Sequence, residues 1–418
     1  MGVVCVTERT QFDPAPLGVV AERLGRLIAE QRLGFLAAAM TPWHAIGVDA
    51  WVRRLRAGGE KRPGAVVMLP HFRDGLGLDA SKFPLTVADG GVQMHPVSVT
   101  LAPSGTRRLI QLAATAGRVA GLWASRPGPA GRPGLPALSI ASPGYAAAGV
   151  FLLTQFCNLR AARSADVRFV SIDEGLGTYV SQAVMDAART GDRPPKGWIV
   201  GGRWADDLLY RLWKRAQAAV AGGYPQESRF AFAKDPNTGQ LTLNAPVAED
   251  YRRAIRAAGE GREALARTDR PIALILPQLW GNALGNQAEG RTEMDLLARV
   301  SARLARAGFD VCLKPHPRDQ AGRYDGAIAS GTAKFRLISA YQAAERVFAS
   351  MRPGDIVIGY NSSTLVTARL LFGLQAYTLS YLLTDMWAVS ELFRTVQKAF
   401  DVLAGSSIAR FEDEFGEP

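Results

Sequence analysis

Three apolar runs of strand length each end in a short polar cluster, and this repetition restricts the chain to folds with ligand loops at strand ends. Residues 167–172 deliver Asp173-Glu174-Gly175, residues 309–313 end in Lys314-Pro315-His316-Pro317, and residues 355–358 lead to Asn361-Ser362-Ser363-Thr364. Continuous apolar runs bounded by turn residues read as strands buried on both faces, and helical patterns between them make βαβ units of a parallel sheet. Such a sheet binds its ligands outside the carboxyl ends of its strands. A lysine and a histidine at one crest form a ligand site. At a second, hydroxyls and free N–H groups opening a helical run can hold a phosphate. With paired carboxylates at a third, the clusters read as one catalytic cleft.

A length of 418 residues, 48% of them hydrophobic, predicts two domains with substantial cores. Lys and Arg number 49 against 38 acidic residues, a formal charge of +11, which points to an anionic partner without choosing among nucleotide, acidic glycan, nucleic acid and membrane surface. The sequence carries no nucleic-acid recognition motif with the required spacing, so nucleic acid is not expected as a partner. Cys5, Cys157 and Cys312 are few, odd in number and far apart, which fits a reducing cytoplasm rather than a disulfide framework. The most apolar stretch, 138–157, is broken by Pro143, Gly144, Gly149 and Gln155, where a bilayer helix needs roughly 20 predominantly apolar residues. A cytoplasmic chain is expected, soluble or peripheral at the inner face of the membrane. The helix read over 203–221 mixes Trp204, Leu208 and Trp213 with Arg211, Lys214 and Arg215, and serves either for packing or for docking on a membrane surface.

Along the chain, strands are expected at 35–40 and 65–69, with a helix at 45–56 between them, then at 138–141 and 167–172. The runs 230–233 and 241–243 flank Asp235-Pro236-Asn237-Thr238-Gly239 and read as a hairpin. A charged helix over 251–270 leads to a linker, which divides the chain into an acceptor-side domain, 1–266, and a donor domain, 267–384. There the pattern restarts: strand 272–276, helix 292–306 with Thr292 as its cap, strand 309–313, helix 340–350, strand 355–358, helix 363–372 and strand 376–379. A helical tail, 385–418, could cross back over the first domain.

Two Rossmann-like domains with ligand loops at strand ends describe the GT-B glycosyltransferase architecture, an α/β class with the two domains facing a central cleft. The acidic cluster Asp173-Glu174-Gly175, the His-Pro cluster Lys314-Pro315-His316-Pro317-Arg318 and the serine pair Ser362-Ser363 resemble, in order, the three motifs of bacterial GT-B sialyltransferases. The pattern is closest to the capsular polysialyltransferases and spans about residues 35–372. Glu345 stands at the place of a family glutamate that holds the nucleotide ribose. Pro277-Gln278 stands where the family often shows Thr-Gln-Pro, which puts Gln278 on the nucleotide side.

The resemblance implies an inverting transferase that moves sialic acid from CMP-sialic acid to an acidic glycan, such as a cell-surface or capsular chain. By it, Glu174 is the general base, assisted by Asp173, and His316 serves the leaving phosphate. Lys314, Pro315, Glu345, Ser362, Ser363 and Gln278 hold the nucleotide. No aspartate cluster with metal-site spacing stands out, so metal-independent transfer without a cofactor is expected. Plainer roles stay open: the acidic cluster as a solvated turn, the serines as helix caps, Glu345 as a surface residue. Arg53, Arg54, Arg56, Arg107, Arg108, Arg160 and Arg163 could form a groove for a polyanionic acceptor. A CDP-glycerol-type phosphotransferase or a CMP-Kdo capsule transferase also pairs a His-Pro motif with serines. A catalytically silent glycan-binding protein is the alternative of another class.

Overall fold

The computed structural model describes residues 15–30, 33–39, 41–68, 91–98, 138–143, 167–173, 175–180, 226–258, 265, 268–278, 287–316, 319, 322–339 and 343–418. The chain divides into two compact units, Met1–Glu174 with Lys196–Phe230, and Gly175–Pro195 with Ala231–Pro418. In the first, β1 (Ala15–Pro16) and α1 (Leu17–Ala29) precede β2 (Phe35–Ala39), α2 (Pro42–Ala57), β3 (Gly64–Met68) and β4 (Val92–Ser98). β5 (Leu138–Pro143), β6 (Val167–Ile172) and β7 (Gln226–Arg229) follow. Among the described residues these strands form one parallel sheet in the order β1-β4-β3-β2-β5-β6-β7. β2 and β3 are buried at every position, as unbroken apolar sequence requires. Trp51 of α2 meets the edge of Phe35 at 5.5 Å in the core. That helix starts earlier than its apolar spacing suggests, because Thr41 caps it by accepting from the His44 amide at 3.2 Å and Pro42 fits the first turn.

In the second unit, α3 (Leu176–Tyr179) precedes an antiparallel hairpin of β8 (Phe232–Lys234) and β9 (Leu241–Leu243). Asp235 closes the hairpin turn by accepting from the amides of Asn237 and Thr238 at 2.8 and 2.9 Å. Next come α4 (Ala245–Ala257), β10 (Ile272–Leu276), α5 (Gln287–Arg306), β11 (Asp310–Leu313), α6 (Asp325–Ala329) and β12 (Arg336–Leu337). Then follow α7 (Ala344–Phe348), β13 (Ile356–Gly359), α8 (Ser363–Val366) with a π-helical continuation, and β14 (Gln375–Thr378). α9 (Thr384–Val389), α10 (Glu391–Ala404), β15 (Ala409–Arg410) and α11 (Phe411–Phe415) end the chain. α5 runs through Thr292, so that residue is no cap: the preceding turn joins the helix although the buried apolar positions start only near Met294.

The second sheet is parallel in the order β12-β11-β10-β13-β14-β15. This is the doubly wound order 3-2-1-4-5-6, with its switch point between β10 and β13. In the first unit β4-β3-β2-β5-β6-β7 repeats that order, with β1 added at the edge. The chain thus carries the two Rossmann-like component domains of the GT-B architecture.

The division between units falls ahead of residue 266, because the hairpin and α4 pack with the second unit. Arg252 donates to the Leu371 carbonyl at 2.8 Å, Arg346 donates to the Ala258 carbonyl at 2.6 Å, and the Tyr179 hydroxyl meets both backbone groups of Phe232 at 3.3 Å. The tail also belongs to the second unit: β15 pairs with β14, and Phe393 and Phe411 are wholly buried in that unit's core. Phe411 stacks on Phe415 with ring centres 4.9 Å apart. Phe411→Ala should therefore lower unfolding stability by about 3–5 kcal/mol, the usual cost of truncating a buried aromatic. Denaturant titration showing a loss under about 1 kcal/mol would detach the tail from the core.

Candidate active site

β10 lies between β11 and β13, with Ile275 opposite Leu313 and Leu276 opposite Gly359. This register brings three polar segments to one crest: Gln278 after β10, Lys314-Pro315-His316 after β11, and Asn361-Ser362-Ser363 after β13. The Lys314 amide donates to the Ile275 carbonyl at 3.0 Å, extending the pairing to the base of the His-Pro segment. Gln278, Pro315, His316, Ser362 and Ser363 are partly exposed, whereas Lys314 and Asn361 are buried. Hydroxyls, a lysine and a histidine converging at the switch point of a doubly wound sheet form a candidate nucleotide-phosphate site.

The two serines differ. Ser362 is the cap of α8: its hydroxyl accepts from the Thr364 amide at 3.2 Å and lies 3.1 Å from the Thr364 hydroxyl. Ser363 opens the helix, and its hydroxyl faces Gly175, the last residue of the acidic motif, within the second unit. A Cβ built on Gly175 would stand 2.8 Å from Ser363 Oγ, and its φ of 92° lies in the left-handed region. Both the close approach and the backbone require glycine there. Asn361, two percent exposed, has neither its amide nitrogen nor its oxygen paired in the structure, a site feature that sequence reading assigned only to the phosphate cluster in general.

Lys314 and Glu345 are both buried, and the charge of each acts on the other. Glu345 sits in the first turn of α7, seven percent exposed, and is no surface residue. Burial raises its pKa, with its own backbone amide and the Lys314 charge opposing that rise. Burial lowers the Lys314 pKa to about 8 against the pull of the Glu345 and Asp319 charges.

His316 is tied to Asp319, a residue the sequence reading passed over. The His316 amide donates to Asp319 Oδ2 at 2.9 Å, and the Asp319 amide donates back to the His316 carbonyl at 2.9 Å. Asp319 Oδ2 also accepts from the Tyr324 hydroxyl at 2.8 Å, and Oδ1 accepts from Arg323 at 2.6 Å. Arg323 reaches on to Glu293 of α5 at 2.5 Å. Burial raises the Glu293 pKa, with Arg323 acting against it. Burial would lower the Arg323 pKa, but Glu293 and its other neighbours raise it on balance. Tyr324 is pushed up by burial and by the Asp319 charge, and Tyr360 by burial and the Glu293 charge. The only sequence signal for this network was a carboxylate three residues beyond a histidine.

In the first unit Asp173 follows β6 and is fully buried. Glu174 and Arg318 lie outside the described residues, as do His71, the 203–221 helix, Arg107, Arg108, Arg160 and Arg163. His44 sits buried in α2. Of the expected basic groove, Arg53 pairs with Asp49 at 3.2 Å, while Arg56 donates to the carbonyls of Glu60 and Arg62. Among the described residues no cluster of three or more His, Cys, Asp or Glu could hold a metal ion, and no helix is long and apolar enough to cross a membrane.

The family model described as alpha-2,8-polysialyltransferase (POLYST) matches residues 251–381. The match begins in α4 and ends beyond β14, so it takes in Gln278, the Lys314 crest, Glu345 and the serine pair, and the resemblance read from those motifs stands. No curated protein sequence matches the chain. Among solved structures, an alpha/beta-galactoside alpha-2,3-sialyltransferase from Photobacterium phosphoreum is 12% identical, with 91% of this chain and 98% of that one covered and a TM-score of 0.42. A 2,6-sialyltransferase from Photobacterium sp. JT-ISH-224, solved with CMP and lactose, is 10% identical over 90% of this chain and 78% of that one, with a TM-score of 0.43. A UDP-GlcNAc 2-epimerase from Neisseria meningitidis is 8% identical over 91% and 95%, at 0.42. Likeness of this size extends to transferases and epimerases alike.

The buried lysine gives a test of the crest. Its pKa falls from 10.5 to about 8 on folding, so between those values the unfolded chain binds more protons and native stability rises with pH. Measured by urea unfolding from pH 7 to 10, any advantage of Lys314→Met over the native chain should shrink by about 1.4 kcal/mol per pH unit above pH ~8. A pH-independent difference would mean that Lys314 is solvated.

Proposed function

We propose that the chain is an inverting sialyltransferase that moves sialic acid from CMP-sialic acid to a glycan, with an acidic cell-surface or capsular polysialic acid chain as acceptor. The observation that carries this reading is the convergence of Gln278, Lys314, His316 and the serine pair on neighbouring strand ends, inside the segment matched by the polysialyltransferase model. Within the second unit, Gly175 packs against Ser363.

Sialyl transfer needs an acceptor hydroxyl deprotonated, a departing phosphate stabilised, and an oxocarbenium-like transition state accommodated. His316 donates a proton or hydrogen bond to the departing phosphate oxygen. The Ser363 hydroxyl, with the lysine beneath it at the crest, favours the charge that grows there. Ser362 sets the backbone that presents Ser363, so capping and phosphate binding are served by the same turn. Glu345 holds the ribose and Gln278 lies on the nucleotide side. Glu174 takes the acceptor proton, with Asp173 assisting. Transfer proceeds without metal, on the cytoplasmic side of the membrane, where a basic chain sits against anionic lipid as a peripheral protein. A CDP-glycerol-type phosphotransferase would release CMP from CDP-glycerol instead, a Kdo transferase would accept a different CMP-sugar, and a silent glycan-binding protein would release no nucleotide.

CMP release from CMP-sialic acid in the presence of oligosialic acid, with and without EDTA, tests the reaction. His316→Ala should lower turnover about 100-fold or more while native melting persists. Turnover within a few-fold of the native chain would remove His316 from the chemistry, and release of CMP from CDP-glycerol but from no CMP-sugar would select the phosphotransferase reading.

For the serine pair, Ser363→Ala should weaken CMP binding by about tenfold, in line with a lost hydrogen bond to a charged group. Gly175→Ala should do the same through displacement of that hydroxyl. Calorimetry in which both variants bind CMP like the native chain would leave Ser363 a helix residue only.

A further inference from the structure

We infer that Asp319 is the positioning residue of the His-Pro segment, holding His316 at the strand end, and that the Glu293–Arg323 ion pair in turn fixes Asp319. The role assigned to His316 rests on the reading under Proposed function; the anchoring itself does not. The ladder reaches only to the Lys314 amide, which bonds the Ile275 carbonyl, and stops short of His316. Asp319 supplies a constraint there twice, by accepting from the His316 amide and by donating its own amide to the His316 carbonyl. Both bonds tie the backbone of His316 to residue 319.

A single carboxylate would be a weak anchor if it could rotate. Here Oδ1 is engaged by Arg323 and Oδ2 by Tyr324 as well as by the His316 amide, so both oxygens are committed and the plane of the group is set. The Asp319 side chain is three percent exposed and that of Arg323 twelve percent, which keeps water from competing for these bonds. Arg323 is held from its far side by Glu293, whose side chain is five percent exposed on α5. The chain of contacts therefore runs from a long helix of the Rossmann-like unit to the backbone of the histidine. Removing the network should shift the histidine out of register with the donor rather than remove a group that touches it, and the loss should fall on turnover more than on nucleotide affinity.

Two measurements test this. The chain contains four histidines, so selective ¹⁵N-histidine labelling gives at most that number of backbone amide signals, and the one absent from His316→Ala reports on residue 316. In Asp319→Asn this signal should move and its hydrogen exchange should quicken at least tenfold, with a smaller change in Tyr324→Phe, which loses one bond to Asp319 and keeps its ring. An unchanged signal in both variants overturns the anchoring. Kinetically, Asp319→Asn should lower kcat for CMP release by about 10- to 100-fold with a donor KM within about threefold, and should cost nothing further in a His316→Ala background. Additive losses in the double variant would mean that Asp319 acts on the fold and not through His316. If the native chain releases CMP from no CMP-sugar, the proposed function falls, while the amide signal still decides whether Asp319 anchors the histidine.

Discussion

The site depends on strands that have no room for polar side chains along their length. β10 is buried at all of its positions, flanked by β11 and β13 in parallel register. A sheet covered by helices on both faces admits polar side chains cheaply only where its strands stop. Chemistry is thus expelled to the carboxyl ends, and the doubly wound order gathers those ends at one switch point. Lys314, His316 and Ser363 are neighbours because Leu313, Leu276 and Gly359 are, and not because of any affinity among the three polar residues.

Once gathered, the polar groups are held by charge burial, which is costly. Burying an ion pair seldom stabilises a fold relative to an apolar filling, since desolvation offsets much of the attraction. The Glu293–Arg323–Asp319 chain is therefore poorly explained as a device for stability. Its effect is geometrical: a carboxylate with both oxygens committed has one orientation. Stability of the second unit comes instead from its apolar interior, to which the C-terminal Phe393 and Phe411 contribute as fully as the central strands.

The central strands of both units and most of the described helices were legible in the sequence, because unbroken apolar runs are local signals, whereas β1, β4, β7, β12 and β15 were not expected. Residues 167–172 and 272–276 carry strands over the expected span. The errors came where a segment's partner is remote. The hairpin and α4 look like the close of the first domain by sequence position, yet Arg252 and Arg346 tie the α4 region into the second unit. The tail reads as a helix, and nothing local announces that its last strand pairs with β14. Sequence position says which residues are helical, but not which core receives them.

By itself the sequence determined the strand-end placement of the three clusters, the identity of the lysine, histidine and serines, and their match to a known transferase pattern, since these follow from residue type and order. Only the tertiary structure decided how they are used. It separated Ser362, occupied as a cap, from Ser363, which faces Gly175. It took Glu345 from a helix surface to a buried partner of Lys314, and Arg53 and Arg56 from a groove to local bonds. It also joined Glu293 to His316 through Arg323 and Asp319, across residues far apart in the chain. The physical reason is common to these cases: burial and hydrogen bonding are set by what packs alongside, and a periodic sequence pattern records only the direction in which a residue points.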